Sequence, residues 1–451
     1  MSVVRLLVLG AAVLACAGCV TSPQDLTGSP LQRIGAEEGY RAATVVSNRP
    51  QDDMLVVLSF SGGGMRASAM AYGVLEQLSR DVWFDHNQRE VRLLDTVDVI
   101  SAVSGGAVPA AYYVLHGDRM FDDFPARYLY HDVGATLKKR FFYSPRNWFR
   151  LLHKDFTRAD VFAEFFDSRL FNGARYQNLD KTGRRPFLIV NATDIGVASR
   201  FEFTQDEFDR LCLDLHHWPI SRAVVASSAV PALITPITLT NHAGHCGYRL
   251  PSWVESVATD TDHSDRRYHL ATSRLLRADP ARYGHLHLVD GALSDNLGVG
   301  AILDALLNPD LDQSRSEAPK RLVILMVNAG DSQAERIGGD ADPPGFFDML
   351  RLMGTVPVDR HTAESKAVLR EQLTNRLERI DSSELYFIEV ELSSLRDHPG
   401  WDTLVRLPTS FSLERGQVDA LRQAAAQLLR EAPDYQRWLQ ALGAQPATVT
   451  R

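Results

Sequence analysis

The sequence lacks any excess of positive charge. Lys and Arg number 48 against 56 Asp and Glu, which gives a net charge of −8, and no long basic run opposes this balance. A chain of this charge repels polyanions. The composition therefore argues against a nucleic-acid partner.

Signatures of nucleotide and metal binding are also missing. The glycine run at residues 61–66 contains neither G-x-G-x-x-G nor G-K-[ST], the loops that bind dinucleotides and nucleotide phosphates. His242, His245 and Cys246 lie close in sequence but have neither C-x-x-C nor H-E-x-x-H spacing. We therefore predict no metal and no organic cofactor.

Cysteine is scarce, with four residues in 451. Cys16 and Cys19 lie near the N-terminus, which leaves Cys212 and Cys246 for the fold. An even pair in an oxidising compartment suggests a disulfide. Two buried free thiols are the alternative, and the sequence does not decide between them.

The first residues have the composition of an export signal. Arg5 supplies positive charge, and residues 6–15 form an apolar stretch too short to span a bilayer. The following run, Ala15–Cys19, resembles the bacterial lipobox, in which the last Cys is lipidated and begins the mature protein. Cys16 stands where that motif usually has Leu. Secretion without a lipid anchor is the alternative.

The lipobox resemblance sets the expected domain organisation. It implies a signal peptide over residues 1–18, and the polar, Pro- and Gly-containing residues 19–50 form a lipidated tether. Val20 follows Cys19 in place of an acidic residue, which in such lipoproteins implies the outer membrane, facing the periplasm. One catalytic domain is expected over residues 51–442. A surface insertion is expected at about residues 240–280, and a flexible tail at 443–451.

Apolar runs alternate with helical patterns through the domain. Strand-like runs lie at residues 54–60, 186–191, 285–289, 322–327 and 385–390, and helical patterns at 65–78, 221–229, 296–307 and 417–429. This alternation predicts an α/β fold, a three-layer sandwich with a mostly parallel central sheet. Active groups are expected at the carboxyl ends of its strands.

Ser104 stands where β-branched residues run directly into very small ones, in V-I-S-A-V-S-G-G-A at residues 99–107. A sharp strand-to-helix turn has this composition when it raises one hydroxyl above a sheet edge. Ala102 and Gly106 fill the small positions of a G-x-S-x-G-like elbow. Ser104 is therefore a candidate nucleophile.

A glycine loop follows the strand at residues 54–60. Gly62, Gly63 and Gly64 let backbone N–H groups approach a ligand, and the next helix N-terminus favours negative charge. Acyl transfer needs such donors for the oxyanion of its tetrahedral intermediate. We predict an oxyanion hole here, with Arg66 adding positive charge or holding the loop. A close-packing turn is the alternative.

Asp290 directly follows the strand-like run at residues 285–289 and precedes Gly291. A carboxylate at a strand end can point into a site and act as base for a serine hydroxyl. Taken alone, Asp-Gly is more typical of an Asx turn. The assignment therefore depends on the motifs around it.

Five short motifs occur in the order found in the patatin-like phospholipase family, and the chain resembles that family over residues 54–307. The motifs are G-G-G-x-R at 62–66, the elbow at Ser104, N-A-T-D at 191–194, A-S-x-A-x-P at 226–231 and D-G-A at 290–292. Residues 407–411 resemble a further family segment near the C-terminal helix. The resemblance implies a Ser104–Asp290 dyad without histidine, supported by Arg66, Gly106 and Gly291.

Three positions depart from the family pattern. Ser61 stands where Asp is common, Ala67 where Gly is common, and Ala102 replaces the first Gly of the elbow. None of these changes removes a reacting group. A Ser-His-Asp triad would draw on His361 or His398, which follow Asp290, but neither lies in a Gly-bounded loop after a clear strand.

Large aromatic residues mix with cations in residues 137–150. We predict that Phe141, Phe142 and Trp148 meet a membrane surface, with the neighbouring Lys and Arg near anionic lipid. A core-packed helix with a solvated basic side is the alternative.

The family resemblance implies a membrane-tethered serine acyl-ester hydrolase. Its substrate would be a phospholipid or another acyl-ester lipid, cleaved through an acyl-enzyme. Two alternatives stay open: an inactive lipid- or envelope-binding lipoprotein with the same fold, and a thioesterase or protease with the same dyad.

Overall fold

The computed structural model describes residues 27–444 except for 36–37, 43–53, 86, 181–185, 261–262, 264–265, 308–319, 331–345, 378–383, 396–397 and 399–400. The predicted signal peptide, Cys19 and much of the predicted tether lie outside the described residues, as does the predicted tail after residue 444. In the described part of the chain, no helix has both the length and the apolar character needed to cross a bilayer.

A mixed sheet forms the centre of the domain. The strands are β1 (Ser29–Pro30), β2 (Met54–Phe60), β3 (Val82–Phe84), β4 (Glu90–Arg92), β5 (Val99–Val103), β6 (Phe187–Asp194), β7 (Ser199–Glu202), β8 (Leu213–Asp214), β9 (Ile237–Thr240), β10 (His285–Asp290), β11 (Arg321–Asn328) and β12 (Glu384–Glu391). The sheet has the order β12-β11-β2-β5-β6-β10-β9, and β7 pairs with β6. Pairing is parallel from β12 to β6 and antiparallel at β10 and β9. The predicted mostly parallel sheet is confirmed.

Helices connect the strands and cover the sheet. They are α1 (Gly64–Arg80), α2 (Ala107–His116), α3 (Arg119–Phe124), α4 (Val133–Phe142), α5 (Pro145–Leu151), α6 (Arg158–Phe166), α7 (Tyr176–Asp180), α8 (Gln205–Arg210), α9 (Ile220–Ser227), α10 (Ser252–Ala258), α11 (Arg266–Arg277), α12 (Ala292–Asp295), α13 (Gly300–Leu307), α14 (Phe346–Leu377), α15 (Trp401–Val405), α16 (Arg415–Glu431) and α17 (Pro433–Leu442). Two π-helical turns, Pro125–Leu129 and Asp167–Phe171, follow α3 and α6.

The alternation of side chains along β11 explains the three layers. Val323 and Leu325 pack in the larger hydrophobic core, which also contains the apolar faces of α1 and α16. Ile324 and Met326 point to the opposite face, where they pack with residues of α13 and α14. Successive residues of a strand face opposite sides of its sheet, so a continuous apolar run requires cover on both faces.

Residues 240–280, the expected surface insertion, contain regular structure and at least one buried side chain. They contain α10 and α11, and Arg277 at the end of α11 is buried. Its guanidinium donates to Asp194 and Glu207 at 3.0 Å each and to Ser199 Oγ at 2.8 Å. Because a buried, fully paired arginine looks like surface charge in a sequence, the polar composition concealed this packing.

Cys212 and Cys246 form a disulfide, with Cα atoms 5.4 Å apart. It connects the residues after α8 to the loop before α10. Because the Cys246 sulfur is bonded to Cys212, it offers no thiolate to a metal beside His242 and His245.

Candidate active site

The glycine loop, Ser104 and Asp290 each follow or end a strand of the central sheet. β2 and β5 are parallel neighbours, so the loop after β2 and the turn after β5 lie at the same edge. The register pairs Val103 with Asn191 of β6, and Ala192 with Asp290 of β10. The carboxylate therefore reaches Ser104 across the end of β6.

Ser104 and Asp290 are hydrogen-bonded directly. Ser104 Oγ donates to Asp290 Oδ2 at 2.9 Å, and the backbone N–H of Ala292 donates to Asp290 Oδ1 at the same distance. Both residues are buried, with Ser104 7% and Asp290 6% exposed. Burial raises the pKa of Asp290 to about 6, although the hydrogen bonds from Ala292 and Ser104 oppose this rise. The carboxylate is therefore ionised at neutral pH yet more basic than an exposed aspartate.

Ser227 holds the backbone of Ser104 in an unusual conformation. Ser104 has φ +49°, in the left-handed region that costs energy for a residue with a side chain. Its N–H donates to Ser227 Oγ at 2.7 Å, and the Ser227 hydroxyl donates to the carbonyl oxygen of Asn191 at 2.6 Å. One buried hydroxyl thus links the elbow to β6.

The end of α9 also positions the strand that carries Asp290. Asp290 N–H donates to the carbonyl of Ala229 at 3.0 Å, and Gly291 N–H donates to that of Ser227 at 3.1 Å. The A-S-x-A-x-P motif therefore touches both members of the pair. Sequence reasoning used this motif for the family resemblance but assigned Ser227 no role, because a hydroxyl's partners cannot be inferred from its neighbours along the chain.

Three glycines allow backbone segments to meet around this pair. A Cβ on Gly105 would lie 2.1 Å from the carbonyl oxygen of Gly64, and one on Gly106 would lie 2.6 Å from that of Ser61. A Cβ on Gly291 would lie 2.3 Å from the carbonyl oxygen of Asn191. The elbow therefore packs backbone to backbone against the glycine loop, which no larger residue permits.

The predicted oxyanion hole loses one of its three expected donors, the N–H of Gly62. The N–H of Gly62 donates to the carbonyl of Asn296 at 3.0 Å, so it is occupied and corrects the assignment of this residue as an oxyanion donor. Met65 N–H is occupied too, by the carbonyl of Ser410 at 2.8 Å. The N–H groups of Gly63 and Gly64 have no acceptor among the described residues, and they lie at the N-terminus of α1, where unpaired donors favour an anion.

Arg66 holds the loop rather than facing the reacting pair. It is buried, and its Nη1 donates to the carbonyl of Leu407 at 3.0 Å. Ser61, where the family pattern has Asp, also braces the loop, because its hydroxyl accepts from Ala329 N–H at 2.9 Å and donates to the Gly62 carbonyl at 3.0 Å. The segment at residues 407–411 is thus part of the support of the glycine loop.

The two histidines considered for a triad have other partners. His361 Nδ1 lies 3.4 Å from Ser365 Oγ, and His398 contacts Gln427 and Glu431. Neither hydrogen-bonds to Ser104 or Asp290 in the described part of the chain.

One family model matches the part of the chain that contains these residues. The family model for patatin, patatin-like phospholipase, matches residues 58–303, more than half of the chain. No curated protein matches the sequence.

Among solved structures, human GIVD cytosolic phospholipase A2 is 13% identical with a TM-score of 0.44, covering 93% of this chain and 68% of that one. Its complex with methyl gamma-linolenyl fluorophosphonate is 12% identical, with a TM-score of 0.43 and coverages of 89% and 61%. VipD from Legionella pneumophila is 12% identical, with a TM-score of 0.33 and coverages of 88% and 68%. These low values carry no argument about activity.

We predict that Ser227→Ala destabilises the protein. The substitution leaves the Ser104 N–H and the Asn191 carbonyl buried without their partner, which typically costs about 1–3 kcal/mol. The free energy of unfolding, measured by urea denaturation, should fall by this amount. Ser228→Ala is the matched control, because Ser228 is adjacent, is also buried, and its side chain has no hydrogen bond to any of the described residues. An equal loss in both variants would contradict the assigned role.

Proposed function

The chain belongs to the patatin-like phospholipase family and is a lipid-hydrolysing enzyme, and from this premise we propose that Ser104 is its nucleophile and Asp290 its base. The observation that carries the proposal is the 2.9 Å hydrogen bond from Ser104 Oγ to Asp290 Oδ2. A nucleophile and a base within hydrogen-bond distance are the minimum that acyl transfer requires. The reaction class is hydrolysis of a carboxylic ester.

The first half of the reaction forms an acyl-enzyme. Asp290 accepts the Ser104 hydroxyl proton as Oγ attacks the ester carbonyl carbon. The carbonyl oxygen becomes an oxyanion and accepts hydrogen bonds from the N–H groups of Gly63 and Gly64. The tetrahedral intermediate then collapses, the bond to the alcohol oxygen breaks, and Asp290 gives its proton to the departing alcohol.

Water completes the cycle through the same groups. Asp290 takes a proton from a water molecule, whose oxygen attacks the acyl carbon attached to Ser104. Collapse of the second intermediate releases the fatty acid, and Ser104 Oγ takes the proton from Asp290. An aspartate can serve as base in both halves because burial raises its pKa to about 6.

Apolar side chains near the pair favour a lipid acyl chain as substrate. Val230 and Leu233 follow Ala229, whose carbonyl accepts the Asp290 N–H, and Leu293 lies three positions after Asp290. All three are exposed. Exposed apolar groups beside a reactive pair are suited to a substrate drawn from a membrane.

The aromatic region supports contact with a membrane surface, with one correction. Phe141 is only partly exposed, and its ring packs 5.8 Å from that of Phe162, so it belongs to the protein interior. Phe142 and Phe149 are 68% and 69% exposed, and Trp148 is 50% exposed. Exposed rings beside surface lysines have the chemistry of a bilayer interface. We name Phe142, Trp148 and Phe149 the aromatic patch.

The proposed localisation rests on the sequence, because Cys19 lies outside the described residues. We propose that Cys19 carries lipid and tethers the folded domain, expected over residues 51–442, to the outer membrane, facing the periplasm. A tether of this kind raises the effective concentration of the enzyme at its substrate surface. The disulfide between Cys212 and Cys246 is consistent with an oxidising compartment.

We predict that the dyad alone sets the pH dependence. Asp290 must be ionised to accept a proton, so kcat/KM for a soluble ester such as p-nitrophenyl butyrate should rise with pH through an apparent pKa near 6 and level off above it. Ser104→Ala and Asp290→Asn should reduce activity at least 1,000-fold at every pH. His361→Ala and His398→Ala are the controls. Both variants should keep the parent's rate and the parent's rise of kcat/KM with pH.

Two results would contradict this mechanism. One is a histidine variant that loses activity, or whose kcat/KM no longer rises with pH near pH 6. Either outcome would point to a triad. The other is failure of a fluorophosphonate probe to label Ser104 in the folded wild-type protein, which would favour an inactive lipid-binding protein.

We predict that the aromatic patch affects the rate of hydrolysis only for substrates in a membrane. Phe142→Ser with Phe149→Ser should lower phospholipid hydrolysis in vesicles at least tenfold, because two rings no longer enter the interface, while soluble-ester hydrolysis stays within twofold. Phe84→Ser is the matched control, since Phe84 is an exposed phenylalanine on β3. Equal effects on both substrates would remove the patch from the proposal.

The lipid anchor predicts covalent labelling at one cysteine. Cells expressing the full chain with an alkyne analogue of palmitate should yield labelled wild-type protein and unlabelled Cys19→Ser protein. Cys16→Leu is the control and should keep its label, because it restores the residue usual in the motif and position 16 would leave with the signal peptide. Label that persists in the Cys19→Ser protein would refute the anchor.

A further inference from the structure

A cavity of about 440 Å³ lies between α4 and the two π-helical turns, Pro125–Leu129 and Asp167–Phe171. It is lined by Ala126, Arg127, His131, Thr136, Arg140, Phe165, Ser168 and Arg169. Three arginines and a histidine face one space, and none of these lining residues is acidic. We name it the cationic cavity. It shares no lining residue with the Ser104–Asp290 site.

The two π-helical turns bring two of these arginines together. Arg127 Nη1 donates to the carbonyl of Arg169 at 3.1 Å, and Arg169 Nε donates in return to the carbonyl of Arg127. π-helical turns are rare and occur often at functional sites. Here each turn uses an arginine to fix the backbone of the other, which places two guanidinium groups side by side.

Two of the three arginines in the cavity have no carboxylate partner among the described residues. Arg140 donates to Ser168 Oγ at 3.3 Å and lies over the ring of Phe165. In the described part of the chain, neither Arg140 nor Arg169 has a carboxylate within ion-pair distance. The acid nearest to Arg140, Glu164, is bound by both terminal nitrogens of Arg150.

Arg127 shares its carboxylate partner with a second arginine. Its Nε donates to Asp123 Oδ2 at 2.7 Å, and the same oxygen accepts from Arg119 at 3.0 Å. The other oxygen of Asp123 accepts from the Tyr112 hydroxyl at 2.5 Å. Asp123 is therefore satisfied outside the cavity and leaves an excess of positive charge within it.

The electrostatics agree with this excess. Burial lowers the pKa of Arg140, and burial together with the charge of Arg127 lowers the pKa of Arg169. Burial and the charge of Arg169 lower the pKa of His131. Burial is the largest cause of each shift, and a bound anion would stabilise the charged form of all three groups.

We propose that the cationic cavity binds the phosphate of an anionic phospholipid head group, at a site separate from the catalytic dyad. Guanidinium groups bind phosphate oxygens in pairs, and the volume leaves room for a glycerol attached to the phosphate. The membrane source is inferred from position: the carbonyl of Arg140 accepts a hydrogen bond from Asn147 Nδ2 at 3.0 Å, and Asn147 is adjacent to Trp148, a member of the aromatic patch. A ligand in the cavity would thus lie close to the surface that meets lipid.

The first experiment measures binding of soluble sn-glycerol 1-phosphate to the full-length protein by isothermal titration calorimetry. The parent should bind saturably, and Arg140→Gln with Arg169→Gln should weaken the association at least tenfold. Lys138→Gln with Lys139→Gln is the matched control, because these exposed α4 residues carry the same charge but do not line the cavity. It should bind within twofold of the parent.

A second variant guards against misfolding of the arginine variant. Ala126 is exposed at the cavity, so Ala126→Glu adds a carboxylate without removing a buried group, and it should also weaken binding at least tenfold. Soluble-ester hydrolysis by each variant, in protein that keeps Ser104, should match the parent. That readout separates failure of this proposal from failure of the proposed function.

Vesicles identify the source of the phosphate. The full chain with Ser104→Ala and Cys19→Ser, which cannot carry the proposed anchor, should sediment more with phosphatidylcholine vesicles that contain one-fifth phosphatidylglycerol than with pure phosphatidylcholine, and both cavity variants in the same background should lose this gain. Binding of glycerol phosphate without any cavity-dependent gain on anionic vesicles would overturn the lipid assignment. Equal binding of glycerol phosphate by the parent and both cavity variants would overturn the site itself.

Discussion

The hydrogen bond between Ser104 and Asp290 forms across the end of β6, between strands that are not neighbours in the sheet. Its two ends must therefore be fixed independently, and the end of α9 performs both tasks. The Ser227 hydroxyl accepts the Ser104 N–H, while the carbonyls of Ala229 and Ser227 accept the N–H groups of Asp290 and Gly291. The glycine loop is in turn held by Asn296, which follows Asp290 closely along the chain. The proposed nucleophile, the proposed base and the glycine loop thus share one set of supports.

The environment of Asp290 imposes a cost on the fold. Its pKa rises from 3.8 to about 6, which corresponds to a destabilisation on the order of 3 kcal/mol when the carboxylate is ionised. The sign follows from the raised pKa: the cost is absent below about pH 4, grows as pH rises, and is complete above about pH 6. The rest of the structure offsets it through extensive burial on both faces of the sheet. The proposed role of Asp290 as base depends on this low-polarity setting, since an exposed aspartate would be too weak a base.

Much of the site could be predicted because strand ends are visible in a sequence. The apolar runs before Ser61 and Ser104 and the strand that ends at Asp290 located the loop, the elbow and the carboxylate, and parallel pairing of β2 and β5 placed the first two at one edge. The contacts that decide their chemistry were not visible. Whether the Gly62 N–H is free depends on loop dihedral angles, and the partners of Ser227 Oγ lie far along the chain.

Charged residues were harder to interpret for a related reason. Arg277 is buried among carboxylates, whereas Arg140 and Arg169 lie in a cavity without them. The sequence does not distinguish these arginines, because the residues that surround each of them come from distant segments of the chain. Phe141 and Phe142 show the same limit for aromatic residues: they are adjacent, yet one packs against Phe162 and the other faces solvent.

The contact between Gly105 and Gly64 has a consequence for recognising such sites in other chains. These residues lie far apart in sequence, yet the backbone of Gly64 fills the space that a side chain at position 105 would need, so such a side chain would collide with the glycine loop. A serine followed by glycine is common, and so is a glycine run. The two together, one after each of two neighbouring parallel strands, form a joint requirement that neither meets alone. Searching for that pair should discriminate better than searching for the serine.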